Sequence, residues 1–173
     1  MSRPRKVLVM GSPGAGKSTF ARRLGEATGL PVIHLDQHFW NSGWVATPPE
    51  LFRQKVEALV AQPAWIMDGD YGGTMDLRMS AADTLIYIDM PRWLCMWGVF
   101  TRSFRAFGRS RPDMAPGCPE KFSWEFYVYA WKYHREKKPQ RFAWLARYPE
   151  KAVVITGRPA AEIYLQNAVK AAA

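Results

Sequence analysis

Short apolar runs recur along the chain, each followed by a polar or amphipathic stretch. Residues 7–10 (VLVM) contain no polar position, the pattern of a strand covered on both faces. Residues 31–36 (PVIHLD), 64–67 (AWIM), 84–90 (TLIYIDM) and 153–156 (VVIT) repeat it, so five strands are predicted. Helical periods fall between them. Residues 17–28 form the first, with Gly29 as its C′ stop. The second runs from Pro49 to about Gln62, opened by the capping-box sequence Thr47-Pro48-Pro49-Glu50. A long helix starts at Pro91 and carries Trp93, Trp97, Phe100, Phe104 and Phe107 at 4-3-4-3 spacing, a stripe expected to pack into the core. Residues 108–120 (GRSRPDMAPGCPE) hold three prolines and two glycines and read as a loop. An aromatic helix over about 121–136, a break at Pro139, a helix to about Arg147 and a terminal helix over 159–171 follow. Strands alternating with helices predict one α/β domain over 1–173, a parallel sheet with helices on both faces.

The first strand leads into Gly11-Ser12-Pro13-Gly14-Ala15-Gly16-Lys17-Ser18, a full match to G-x-x-x-x-G-K-[ST] between a strand and a helix. Glycines let backbone N–H groups turn inward around phosphate oxygens, and the helix N-terminus adds positive charge. Gly11, Pro13, Gly14, Ala15, Gly16, Lys17, Ser18 and Thr19 are therefore the candidate ATP-binding residues. Lys17 would neutralise the β and γ phosphates, and the Ser18 hydroxyl would ligand Mg²⁺.

Ligands of parallel α/β sheets sit beyond the C-terminal strand ends. Three strand-ending carboxylates, Asp36, Asp68 and Asp89, are expected there. Asp68 is favoured over Asp89 as the second Mg²⁺ residue, provided its strand lies beside the phosphate-loop strand. Asp36 is placed to take the proton of an acceptor hydroxyl, or else serves as a turn residue. His34 reads as strand filler. Trp40 and Trp44 either wall an acceptor pocket or pack in the core. Tyr71-Gly72-Gly73 offers further N–H groups. Arg53 and Arg78 are possible grips for an acidic acceptor, or merely surface arginines.

Composition and charge sharpen this picture. The chain has 173 residues, 48% apolar and 14% aromatic, too apolar for disorder. No apolar run approaches the roughly 20 residues of a membrane span, and the basic start Met1–Lys6 precedes too short an apolar run for a signal peptide. Cys95 and Cys118 suggest neither a disulfide framework nor a zinc site. A cytoplasmic monomer with no membrane partner is expected. Residues 1–91 balance nine basic against nine acidic residues, whereas 92–147 hold twelve basic and four acidic. That segment is a solvated face, a phosphate-closing lid or a nucleic-acid patch. The lid reading gives Arg102, Arg105, Arg109 and Arg111 a use. Arg102 would contact the nucleotide, and Arg105, Arg109 and Arg111 are candidates to stabilise the moving phosphoryl group.

The stretches GSPGAGKSTFARRLG, PVIHLDQHFW, WIMDGDYGGTMDLR, ADTLIYIDMPRWLCMW and RSRPDMAPGCPE together resemble the nucleoside-monophosphate-kinase-like P-loop kinases, the group of adenylate, shikimate and gluconate kinases. Within it the chain is most similar to adenylate-kinase-related proteins labelled "topology modulation protein". The resemblance, from residue 7 to about 140, implies a P-loop NTPase fold with strand order 2-3-1-4-5 and a flexible lid over about 102–120. It also implies an acceptor-binding segment over about 37–62 and a base-contacting loop at Gly157-Arg158. Adenylate kinases read Asp-Gly-x-Pro-Arg after the third strand; here the stretch is Asp68-Gly69-Asp70-Tyr71-Gly72, without that arginine. The short acceptor segment and Asp36 are closer to kinases with a hydroxyl acceptor.

The function expected is transfer of the γ-phosphoryl of MgATP to a small-molecule acceptor. The alternative is a nucleic-acid-binding ATPase that uses residues 121–141, where Trp124, Tyr127, Tyr129, Trp131 and Tyr133 mix with Lys132, Arg135, Lys137, Lys138 and Arg141.

Overall fold

In the computed structural model, residues 4–172 are described; the basic start Met1–Arg3 lies outside them. Strand β1 (Lys6–Gly11) is central and buried along residues 7–11. Its alternation feeds two cores. Leu8 and Met10 point to one face, with Leu35, Phe52, Trp65 and Met67. Val7 and Val9 point to the other, with Phe20, Ala21, Leu24 and Ile66.

On either side of β1 lie β5 (Trp65–Asp68) and β6 (Thr84–Asp89); β2 (Val32–His34) and β7 (Ala152–Thr156) form the edges. All pairings are parallel, in the order β2-β5-β1-β6-β7. Counting only these five strands, the order is 2-3-1-4-5. Asp68 therefore ends the strand directly beside β1. Helices α1 (Lys17–Thr28) and α8 (Gly157–Ala172) pack together over one face. Helices α3 (Pro49–Val60), α4 (Met75–Ala81) and α7 (Lys138–Leu145) send Phe52, Val56, Met75, Met79 and Leu145 into the other core. Helix α5 (Arg92–Ala106) lies against α6 (Trp124–Glu136).

Several local expectations change. The second strand stops at His34, and Asp36 lies in the first turn of a short helix, α2 (Leu35–Phe39). The cause is the partner: β2 pairs with β5 only as far as His34 opposite Asp68, where β5 itself ends. A two-stranded antiparallel hairpin, β3 (Trp40–Asn41) with β4 (Val45–Ala46), follows α2. The capping box at α3 does not form: its N-cap is Pro48, and the Thr47 hydroxyl donates to His38 O at 3.3 Å instead. Pro139 sits in the first turn of α7 rather than in a break before it.

The aromatic stripe of α5 is not core. Trp93, Trp97, Phe100, Phe104 and Phe107 are exposed, and the buried face of the helix is Cys95, Val99 and Ser103. Small residues are required on that side, because Gly98 abuts the loop that follows β1. Among the described residues no helix is long and apolar enough to cross a membrane.

Candidate functional site

The loop from Gly11 to Ser18 bends between β1 and α1. Gly14 has φ +77°, and a Cβ there would lie 2.0 Å from Cys95 O of α5, so no other residue fits without moving the helix. Gly16 has φ +88° and open space where its Cβ would be. It is also the N-cap of α1, and no side chain caps it. No acidic residue occupies the first turn, so the helix N-terminus presents its N–H groups and positive potential uncompensated. Lys17 bends back and donates from Nζ to Ser12 O at 2.8 Å. Pro13 and Ser18 are half-buried, Ala15 is buried and Thr19 is exposed.

Two carboxylates stand beyond the neighbouring strands. Asp68 is buried. Its Oδ2 lies 3.1 Å from His34 Nδ1, and its Oδ1 has no hydrogen-bond partner among the described residues. A buried carboxylate oxygen left without a donor is costly, and a metal-bound water or a cation would satisfy it. Burial opposes protonation of His34, yet the adjacent Asp68 carboxylate outweighs it and raises the imidazole above its ordinary range. His34 is thus the partner of Asp68 rather than strand filler. Asp89 is occupied otherwise, by Lys138 Nζ at 2.7 and 3.0 Å.

Asp36 accepts a short hydrogen bond from the Tyr71 hydroxyl. Burial pushes its carboxyl up from the ordinary carboxylate range. Asp68 adds to the rise, while the Tyr71 bond and the charges of Arg111 and Lys17 oppose it. The Tyr71 ring is fixed against Phe39 and Phe52, at centroid distances of 4.6 and 5.0 Å.

Residues 107–120 lie closed over the β3–β4 hairpin. Gln37 Nε2 donates to Pro112 O at 2.6 Å, Gly43 N to Gly117 O at 2.8 Å and Trp44 Nε1 to Pro119 O at 3.0 Å. Trp40 and Trp44 pack on Met114, Ala115 and Cys118, so they hold this segment rather than line a free pocket. An open groove of about 550 Å³, lined by Gln37, Arg111, Pro112 and Met114 among others, runs along this junction.

The four lid-segment arginines divide in two. Arg102 and Arg111 turn inward around the buried Glu120, which Arg111 Nε approaches to 2.9 Å and Arg102 Nε to 3.6 Å. Ser103 Oγ donates to the same carboxylate at 3.1 Å. Burial and the neighbouring Arg111 lower the Arg102 guanidinium from its usual value. Arg105 and Arg109 are exposed, and among the described residues no side-chain hydrogen bond holds either one. Arg158 is exposed in the first turn of α8, which starts directly after β7; no separate loop stands there.

Two other arginines leave the candidate acceptor grips. Arg78 is wholly buried and donates to Gly69 O at 2.7 Å, to Tyr71 O and to Thr74. Arg53 pairs with Asp76 at 2.8 Å on the surface. Arg141 and Tyr133, counted in the basic aromatic segment, are likewise internal: both bond Asp70, at 2.8 and 2.6 Å. The sequence pattern gave Tyr71 and His34 other roles, and Glu120 none. Glu120 carried one signal, as one of only two acids in the basic loop.

No family model matches the chain, and no curated protein is significantly similar to it in sequence.

Proposed function

We propose that the protein is a P-loop phosphotransferase, moving the γ-phosphoryl group of MgATP to a small-molecule acceptor: a nucleotide, nucleoside or hydroxylated metabolite. The observation that supports this reading is the Gly11–Ser18 loop leading into an uncapped helix N-terminus, with the buried, unpartnered Oδ1 of Asp68 at the end of the adjacent strand.

The loop of Gly11–Ser18 suits a triphosphate. Its N–H groups and Lys17 would take phosphate oxygens, with Lys17 exchanging Ser12 O for one of them. The Ser18 hydroxyl and the unpartnered Oδ1 of Asp68 fit Mg²⁺, Asp68 through a water; the ion would neutralise the β and γ oxygens. In the transfer step the acceptor oxygen attacks the γ-phosphorus and the bond to the β–γ bridging oxygen breaks. The hydroxyl proton passes to Asp36, leaving ADP and a phosphorylated acceptor. A carboxylate pushed upward by burial suits that proton, and Tyr71 fixes its orientation. Turning from Glu120 and Asp113, Arg111 and Arg102 would balance charge on the moving group, a contribution worth about 10³–10⁵ in rate when well aimed.

The test is MgATP consumption with a panel of nucleosides, nucleoside monophosphates and hydroxylated metabolites, with Lys17→Ala as control. The reading expects one acceptor to raise turnover well above that with water, and the variant to lose it. ATP binding with no acceptor faster than water would overturn it.

A further inference from the structure

The exposed aromatic stripe of α5 has no role in phosphate chemistry. Trp93, Trp97, Phe100, Phe104 and Phe107 keep 68, 59, 49, 72 and 59% of their surface. With about 200 Å² per side chain, they present roughly 600–700 Å² of apolar area. The largest patch on a typical monomer is about 300–600 Å². The spacing of Trp93, Trp97, Phe100 and Phe104 puts them on one side of the helix, away from the buried Cys95, Val99 and Ser103, and Phe107 follows as its exposed C-cap residue. The patch continues beyond α5. Phe122 lies 6.4 Å from Phe100 and 5.4 Å from Phe107, ring to ring, and Arg92 lies 4.9 Å over the exposed Trp131 of α6.

The charge around this patch is one-sided. Between Arg92 and Glu136, the lid interior uses Arg102, Arg111, Asp113 and Glu120 against one another. With Lys121 turned over the Trp44 ring at 5.7 Å, what remains on this segment is Arg92, Arg105, Arg109, Lys132 and Arg135 against only Glu125 and Glu136. An outward band of Trp and Phe set among surplus cations is the composition of an interfacial helix on an anionic lipid surface.

We propose that this face docks the protein on an anionic phospholipid bilayer. Helix α5 lies in the interfacial plane, its rings at the boundary of headgroups and acyl chains and the flanking cations on lipid phosphates. Pairing with a second copy would bring two positive surpluses together. Single-stranded nucleic acid is held in grooves that track its backbone, whereas this is the outward face of a helix. The absence of a spanning helix does not bear on peripheral docking.

The test is sedimentation of the full chain with phosphatidylcholine vesicles, with and without phosphatidylserine, at low and high salt. Partitioning is expected to be about tenfold or more stronger with phosphatidylserine and to weaken with salt. Trp97→Ser/Phe100→Ser/Phe104→Ser, on the exposed side, is expected to lose about tenfold or more, with its helical circular dichroism and MgATP binding unchanged. In the wild type, brominated lipid is expected to quench native tryptophan fluorescence, a readout that does not depend on the variant. Three results would overturn the proposal. One is no vesicle binding. Another is binding equally strong in the variant and without quenching. The third is a wild-type dimer, or single-stranded DNA binding, that the variant abolishes while vesicles go unbound.

Discussion

In the proposed transfer, Asp36 is the residue that takes the acceptor proton. Burial and the nearby Asp68 raise its carboxyl, so the folded protein holds that proton more tightly than the unfolded chain. The stability it contributes is therefore present at low pH and lost as pH rises through its folded value. Asp36→Asn keeps an acceptor for Tyr71 and removes the charge. The variant is expected to melt above the wild type at neutral pH, with a difference that shrinks on acidification, as calorimetry across pH would read. The same variant should lose about 10²–10⁴ in transfer rate while retaining MgATP affinity. In the wild type, kcat/KM should rise with pH to a plateau, through a midpoint above the ordinary carboxylate range. Arg141 illustrates a different use of charge. It is buried against Asp70, so Arg141→Ala strands a carboxylate and should cost about 3–5 kcal/mol in denaturant melts.

Among the elements, the contact between the Gly11–Ser18 loop and α5 is the tightest constraint on the candidate site. Gly98 lies inside α5, where Gly→Ala ordinarily favours a helix by about 1 kcal/mol. Here a Cβ would fall 2.3 Å from Gly14 O, so the helix or the loop must move. Gly98→Ala is expected to weaken MgATP binding about tenfold or more by titration calorimetry, with helical content retained. This contact also explains what was legible in the sequence. The β1–loop–α1 unit was readable because its apolar run, glycines and Lys-Ser pair are local signals. The side α5 turns inward was not. Aromatic spacing defines a face but not its direction, and the better clue was Cys95, Gly98, Val99 and Ser103 on the opposite side. The end of β2 was hidden for a similar reason, since it is set by the length of β5, some thirty residues away. Likewise the basic segment was plain, but which arginines turn inward depends on Glu120, remote from Arg102 in sequence.

For the whole molecule, the proposed transfer depends on residues 107–120, which lie over the β3–β4 hairpin. Trp44 holds this segment, bonded to Pro119 O and packed on Met114, Ala115 and Cys118. Trp44→Ala should speed hydrogen exchange across residues 108–120 and raise the fraction of ATP lost to water. The most direct measurement is the fate of the label from γ-³²P-ATP with the best acceptor of the panel, in the wild type and in Asp36→Asn. A phosphotransferase built around Asp36 predicts label on the acceptor, little in inorganic phosphate, and loss of acceptor labelling in the variant despite normal ATP binding. Label found only in inorganic phosphate, or an Asp36→Asn protein that transfers as well as the wild type, would contradict the account.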